Sequence, residues 1–118
     1  MGLSEGDCLF CKIAAGTIPA KKLHEDDTTV AFADINPQAP FHALVIPRRH
    51  IETLNDASPA DEALLGHLFT VARKLAQDAG FAERGYRALM NCNREAGQTV
   101  WHIHLHVLAG RPMRWPPG

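Results

Sequence analysis

Residues 101–110 read WHIHLHVLAG, and this stretch decides the fold. In a β-strand successive side chains point to opposite faces, so residues at alternate positions share a face. The pattern therefore predicts a half-buried strand with one apolar face and one open face built of imidazoles. Solvent-facing strand positions accept Thr, Lys or Glu more readily than neutral histidine, which favours a functional role for this face over chance. The histidines are His102, His104 and His106, and the apolar residues are Ile103, Leu105 and Val107.

The segments before this stretch predict further strands and a short helix. Alternating or continuously apolar residues bounded by turn residues predict strands, and INPQAP at 35–40 predicts a turn because it holds two prolines. CLFCKIAAG at 8–16 predicts a short helix capped by Asp7. The predicted strands are TTVAFAD at 28–34, FHALVIP at 41–47, YRALMN at 86–91 and TVWHIHLHVL at 99–108, with a short edge strand within TIPAKKLHE at 17–25.

A long amphipathic helix is predicted in the middle of the chain. Ser58 suits the N-cap, Pro59 suits the first helical position, and Gly80 is the predicted C-cap. This order of elements predicts an α+β fold, in which an antiparallel sheet of about five strands carries the long and the short helix on one face and the histidines on the other. The apolar residues of the long helix recur at steps of three and four: Leu64, Leu68, Val71, Leu75 and Ala79.

The composition bounds the class of protein. The chain has 118 residues, of which 46% are hydrophobic and 21% charged, which suits one domain over 1–118 with a core at 7–108 and a tail at 109–118. A formal net charge of −1 argues against nucleic-acid binding, and no apolar run has the length of a membrane span. The odd count of three cysteines argues against a secreted disulfide framework, and MGLSEGDC lacks the features of a signal peptide. We therefore expect a cytoplasmic protein that binds neither nucleic acid nor membrane.

Three histidines on one face of a strand could bind a metal ion or take part in phosphate chemistry. A single metal ion shared by all three is geometrically awkward, since the outer two lie about 13 Å apart along a strand whereas zinc–nitrogen bonds are about 2.0–2.1 Å long. Phosphate chemistry suits them better, because one imidazole can attack phosphorus while another carries a proton. The preceding loop adds neutral donors to phosphate oxygen, and without a magnesium motif no Mg²⁺ requirement is expected. These loop residues are Gly97, Gln98 and Thr99.

Other residue types in the chain are less specific. CLFC at 8–11 can be a redox pair, half of a zinc site or two small buried thiols. In a zinc site the remaining ligands would be histidines, because the chain has no second Cys-x-x-Cys. Taken alone, His42 is expected to be an ordinary hydrogen-bonded histidine. Asp34 is expected to cap a turn or a helix. His24 and His67 suit the surface.

These motifs resemble the histidine triad (HIT) superfamily, whose signature His-φ-His-φ-His-φ-φ is matched by residues 102–108 throughout. FADINPQAPFHALVIPRRHI at 32–51 resembles the N-terminal half-site of that family. AGQTVWHIHLHVLAGRPMRWPPG at 96–118 resembles its Hint branch, the nucleoside phosphoramidate hydrolases. The resemblance covers nearly the whole chain, and it implies the HIT-like fold and a homodimer.

The resemblance also implies roles for individual residues. His104 would attack the α-phosphorus and carry a nucleotidyl intermediate, His106 would bind phosphate oxygen and assist the leaving group, and His42 would orient His104. Many Hint relatives have Ser where this chain has Thr99, a change that keeps the hydroxyl. The implied nucleotide-binding residues are Thr99, Gln98, Asn91, His104 and His106 at the phosphate, Asp34 at the ribose, and Phe10, Ile35 and Leu44 at the purine.

A structural zinc ion is implied in the same way, with Cys8, Cys11, His50 and His102 as ligands. The C-terminal tail, including Trp115, would approach the partner's active site. The implied activity is hydrolysis of purine nucleoside 5′-phosphoramidates, and of related aminoacyl-adenylate compounds, with AMP or GMP as the bound nucleotide. One alternative is a dinucleoside polyphosphate hydrolase, against which the short chain and the WPPG tail argue. Another is a zinc-stabilised nucleotide-binding or scaffold protein without catalysis, against which the intact middle histidine argues.

Overall fold

Five strands form one antiparallel sheet with the order β1-β2-β3-β5-β4 in the computed structural model, which describes residues 5–118. The predicted α+β fold with five antiparallel strands is confirmed. The prediction that the chain has no signal peptide rests on MGLSEGDC at residues 1–8, and this segment begins outside the described residues. The strands are β1 (Lys22–Glu25), β2 (Thr29–Ala33), β3 (Phe41–Pro47), β4 (Tyr86–Leu89) and β5 (Leu105–Ala109), and the α-helices are α1 (Leu9–Ala14) and α2 (Glu62–Asp78).

The two helices pack on opposite faces of the sheet. On β3, Ala43 and Val45 lie in the core cluster of α2, whereas Leu44 and Ile46 lie in the cluster of α1. The prediction that both helices share one face was therefore wrong. The continuous apolar run in β3 is the physical reason, because a strand that is buried on both sides needs cover on both sides. The histidine face is the one that α1 partly covers.

The start of α2 is held by a capping box. Ser58 Oγ accepts a hydrogen bond from Ala60 N, and the Asp61 carboxylate accepts one from Ser58 N, so Ser58 is a cap as predicted. It caps a 3₁₀ turn, Pro59–Asp61, that leads directly into the helix. At the other end the C-cap is Ala79, and Gly80 follows it at φ 86°, a backbone conformation that favours glycine.

The histidine strand is shorter than predicted, because β5 begins only at Leu105. In the register with β3 the last pair is Val45 with Leu105, so the ladder stops two residues before β3 ends at Pro47. Continuing the register would place Ile103 opposite Pro47. Proline has no N–H to offer that ladder. The backbone N–H of Ile103 donates to Ile51 O instead. Two of the three triad histidines therefore lie in an irregular segment at the mouth of the sheet.

Within residues 5–118, neither α-helix has the length and hydrophobicity that a membrane-spanning helix requires.

Candidate active site and adjoining metal-ligand cluster

The middle histidine of the triad, His104, is almost wholly buried. Its Nδ1 lies 2.8 Å from the carbonyl oxygen of His102. Because a carbonyl only accepts hydrogen bonds, Nδ1 carries the proton, and Nε2 of the neutral ring has a lone pair. Burial lowers the pKa of His104, and the hydrogen bond to His102 only partly opposes it. The ring is therefore neutral near pH 7 and can act as a nucleophile through Nε2.

The third histidine, His106, has the opposite tautomer. The backbone N–H of Gln38 donates to Nδ1 of His42 over 3.0 Å, so a neutral His42 carries its proton on Nε2. That nitrogen lies 2.9 Å from Nδ1 of His106. Nδ1 of His106 therefore accepts, and its Nε2 carries a proton. Burial, and then His104 and His42, lower the pKa of His106 to about 4, which keeps the ring neutral.

His42 contacts a different triad residue from the one predicted. It is paired with His106, whereas His104 is oriented by the backbone of its own segment. The strand register explains this, because His42 pairs with Leu108 and Leu44 pairs with His106, which makes His42 a diagonal neighbour of His106. The expectation that His42 orients His104 was wrong. Asp34 Oδ2 lies 3.4 Å from Nε2 of His42 and adds a negative charge to the group.

A cavity of about 640 Å³ opens above these histidines. Residues from α1, β2, β3 and the loop before the triad line it, so the fold brings separate parts of the chain together at one site. The predicted site residues that line this cavity are Phe10, Asp34, Ile35, His42, Leu44, Thr99, His104 and His106. Ile18, Pro19 and Ala20 also line it, although no motif in the sequence marked them.

Gln98 and Asn91 do not line this cavity. The side-chain amide of Gln98 donates to Glu52 O over 2.8 Å and to Val100 O, and its carbonyl accepts from Asn93 N. The expectation that this side chain donates to phosphate was wrong, because its hydrogen-bonding groups hold the loop together. Gln98 thereby positions its neighbour Thr99 at the cavity. The implied role of Asn91 stays a prediction.

The four predicted metal ligands lie together beside the active site. The Sγ atoms of Cys8 and Cys11, and Nδ1 of His50 and His102, lie within 4.8 Å of one another. Four of the spacings are 3.3, 3.3, 3.3 and 3.5 Å. A tetrahedral zinc ion, with bonds of about 2.0–2.1 Å to nitrogen and about 2.3 Å to sulfur, needs ligand atoms about 3.3–3.7 Å apart. The spacing and the chemistry of these side chains therefore fit zinc.

Hydrogen bonds orient this cluster for metal binding. Nε2 of His102 lies 2.8 Å from Pro47 O, so Nε2 carries the proton and Nδ1 directs a lone pair at the two thiols. Burial lowers the pKa of His102 to about 4, so the ring is neutral, as a metal ligand must be. Cys8 is also the N-cap of α1, since its Sγ accepts from Cys11 N, so the cap predicted at Asp7 lies one residue later.

The metal-ligand cluster adjoins the active site through α1. Phe10 lies between Cys8 and Cys11 in the sequence, and its ring meets His104 edge-on at a centroid distance of 5.1 Å. His102 belongs to the cluster and accepts the hydrogen bond from His104. Fastening α1 at its two thiols would therefore hold one wall of the cavity and the backbone behind the nucleophile.

The chain is similar to several known proteins. A model described as the HIT domain matches residues 15–113. The purine nucleoside phosphoramidase of Escherichia coli K12 is 50% identical over 107 residues, which cover 91% of this chain and 90% of the relative. A HIT family hydrolase from Legionella pneumophila has a TM-score of 0.93 at 54% identity, covering 95% of this chain and 100% of that one. A histidine triad protein from Clostridium difficile has a TM-score of 0.91 at 42% identity, covering 95% and 97%. The similarity spans nearly the full length of each pair.

Proposed function

The chain belongs to the HIT domain family, and from that membership we propose that it hydrolyses purine nucleoside 5′-phosphoramidates to a nucleoside monophosphate and an amine. The observation that carries the proposal is the opposite tautomers of two neighbouring rings. His104 has a lone pair on Nε2, whereas His106 has a proton there. Cleavage of a P–N bond needs a nucleophile for phosphorus and a proton for the leaving nitrogen, and these two rings supply them.

The reaction would proceed in two steps. Nε2 of His104 attacks the α-phosphorus, the P–N bond breaks, and His106 passes its Nε2 proton to the departing amine. Water then attacks the nucleotidyl-His104 phosphorus and its proton returns to His106. The N–P bond breaks, and the nucleoside monophosphate leaves. In sum one water is consumed, with its hydroxyl on phosphorus and its proton on the amine.

The cavity lining supports a nucleotide as the substrate. Phe10 and Leu44 offer apolar walls to a purine, and Ile35, which is 99% exposed at the rim, gains cover when a base lies against it. The Asp34 carboxylate is oriented by Asn36 N, which donates to Oδ1 over 2.8 Å, and it would accept hydrogen bonds from ribose hydroxyls. The Thr99 hydroxyl would donate to phosphate oxygen.

We propose zinc as a structural ion held by Cys8, Cys11, His50 and His102. Zinc with four protein ligands supplies a closed, rigid junction and leaves no position for substrate. Magnesium has no part in the proposed reaction, which relies on imidazoles and neutral donors.

We further propose a cytoplasmic homodimer with the 109–118 tail near the partner's cavity. Phe69, which is 54% exposed on α2, and Trp115, which is 84% exposed on the tail, support a covered surface there.

The experiment that tests the function compares two bond types. Purified protein is given adenosine 5′-phosphoramidate or a diadenosine polyphosphate, and AMP release is followed for each. We expect turnover of the phosphoramidate, with the polyphosphate cleaved much more slowly or not at all. Faster cleavage of the polyphosphate would identify a dinucleoside polyphosphate hydrolase. Tight AMP binding with no turnover of either compound would identify a nucleotide-binding protein.

The pH dependence of the reaction follows from His104, the proposed nucleophile. Burial lowers its pKa below the ordinary imidazole value of 6.5, with the hydrogen bond to His102 and the charge of Asp34 opposing. A lowered pKa means that Nε2 keeps its lone pair below pH 6.5, so kcat/KM should hold there and fall only at more acidic pH. A pH–rate profile, with circular dichroism at each pH to confirm folding, measures this. A half-maximal rate at pH 6.5 or above would contradict the assignment.

A further inference from the structure

A second group of possible metal ligands lies away from the active site. His24 on β1, Asp26 just after β1 and His67 on α2 converge on one point, although His67 is distant from the others in the sequence. Nε2 of His24 and Nε2 of His67 each lie 2.7 Å from the same oxygen, Oδ2 of Asp26. Both histidines were expected to be ordinary surface residues, and no sequence pattern links them.

Backbone hydrogen bonds hold the Asp26 carboxylate in place. Its other oxygen, Oδ1, accepts from the N–H groups of Thr28 and Thr29, each over 2.9 Å. Oδ2 is therefore presented to the two imidazoles by a rigid turn, and it is not a flexible surface carboxylate. Such outer hydrogen bonds are what orients the carboxylate ligand in metal sites.

We propose that His24, Asp26 and His67 bind a divalent transition-metal ion. One ligand atom from each lies within 4.8 Å of the others. Two imidazoles and one carboxylate suit zinc, cobalt or nickel, and not magnesium or calcium, which prefer oxygen ligands. The side chains are 18%, 30% and 38% exposed, so water can complete the coordination. An ion here would join α2 to the β1–β2 turn.

The observed distances are those of hydrogen bonds within the group of three. A spacing of 2.7 Å fits N–H groups that donate to a carboxylate. Ligand atoms around a metal with bonds of about 2.0–2.2 Å are at least about 2.9 Å apart, so Oδ2 must move back by a few tenths of an ångström. The exposure of the three side chains permits this. Metal binding through Nε2 requires that each ring carry its proton on Nδ1.

The site is independent of the proposed catalysis. His67 is on α2, which packs on the sheet face opposite to the one that α1 and the cavity occupy. None of its three residues lines the cavity or belongs to the cysteine cluster. Metal binding here can therefore succeed or fail whatever reaction the protein catalyses.

Cobalt titration of the full-length protein tests the proposal. The protein is first loaded with one equivalent of zinc to fill the cysteine cluster, and Co²⁺ is then added in a calorimeter and in a thermal-unfolding assay. We expect one further equivalent to bind, to raise Tm, and to give no thiolate-to-cobalt charge-transfer absorption. In His67→Gln and Asp26→Asn the affinity should fall by about tenfold or more. Asp27→Asn is the matched control, because Asp27 lines the same surface pocket but is outside the group of three.

Two results would overturn the site. One is the absence of a further equivalent in wild-type protein, including the case in which cobalt only enters the thiolate cluster. The other is equal binding by wild type and His67→Gln. Since His67 is partly exposed, His67→Gln should fold, and its unfolding curve without cobalt verifies this.

Discussion

AMP release from adenosine 5′-phosphoramidate should fall by about a thousandfold or more when His104 is replaced by alanine. The ring is buried at the floor of the cavity, and its Nδ1–H is fixed on His102 O, so only Nε2 is left to attack. A thousandfold loss corresponds to about 4 kcal/mol of transition-state stabilisation. Nε2 of His106 cannot take over this role, because that nitrogen carries a proton. Single-turnover assays of AMP release measure the change.

Two controls separate loss of the nucleophile from loss of the fold. AMP binding by calorimetry should survive in His104→Ala, because the cavity walls come from other residues. In His104→Gly, added imidazole should restore part of the rate, since a free ring can occupy the space of the missing one. A His104→Ala variant that keeps its fold and more than about a tenth of the wild-type rate would refute the covalent nucleophile.

Loss of the metal-ligand cluster should have the second-largest effect, on stability and on nucleotide affinity together. Cys11→Ser removes one thiolate from the predicted zinc site, so bound zinc should drop from one ion per chain to a small fraction. At free zinc a thousandfold above Kd, the metal contributes about 4 kcal/mol to the free energy of unfolding. Losing it should lower Tm by about 10 °C or more for a domain of this size. Metal analysis and thermal unfolding measure the two quantities.

Nucleotide affinity is the distinguishing measurement for this variant. The thiols hold α1, and α1 places Phe10 against His104 at the cavity wall. AMP binding should therefore weaken in Cys11→Ser at temperatures where the protein is still folded. Cys92→Ser is the matched control, because Cys92 lies outside the cluster, and it should keep both zinc and AMP binding. If Cys11→Ser retains zinc and Tm, the cluster is not a metal site.

Local patterns in the sequence determined much of the fold. The alternation in HIHLHVL predicted one strand with its histidines on one face, and His106 with its apolar neighbours confirms this within β5. Ser58 and Pro59 predicted the start of the long helix. These features depend on residues that are close in the sequence and follow from backbone geometry and capping alone, so they can be found without tertiary contacts.

Tertiary contacts decided the chemistry of the site. The tautomers of His104 and His106 depend on the His102 carbonyl and on a relay from Gln38 through His42, and the sequence does not show which partner each ring meets. Strand register, which assigned His42 to His106, is likewise a property of paired strands. Gln98 matched a family motif, yet its amide is used within its own loop.

Distance along the chain separates what the sequence determined by itself from what only the structure decided. Burial, helix capping and strand alternation follow from residues a few positions apart, and the sequence specifies these directly. The face that α1 covers, and the meeting of His24 and Asp26 with His67, depend on how distant elements pack. A hydrogen bond needs an atom placed to within a few tenths of an ångström, and only the folded chain brings distant residues that close.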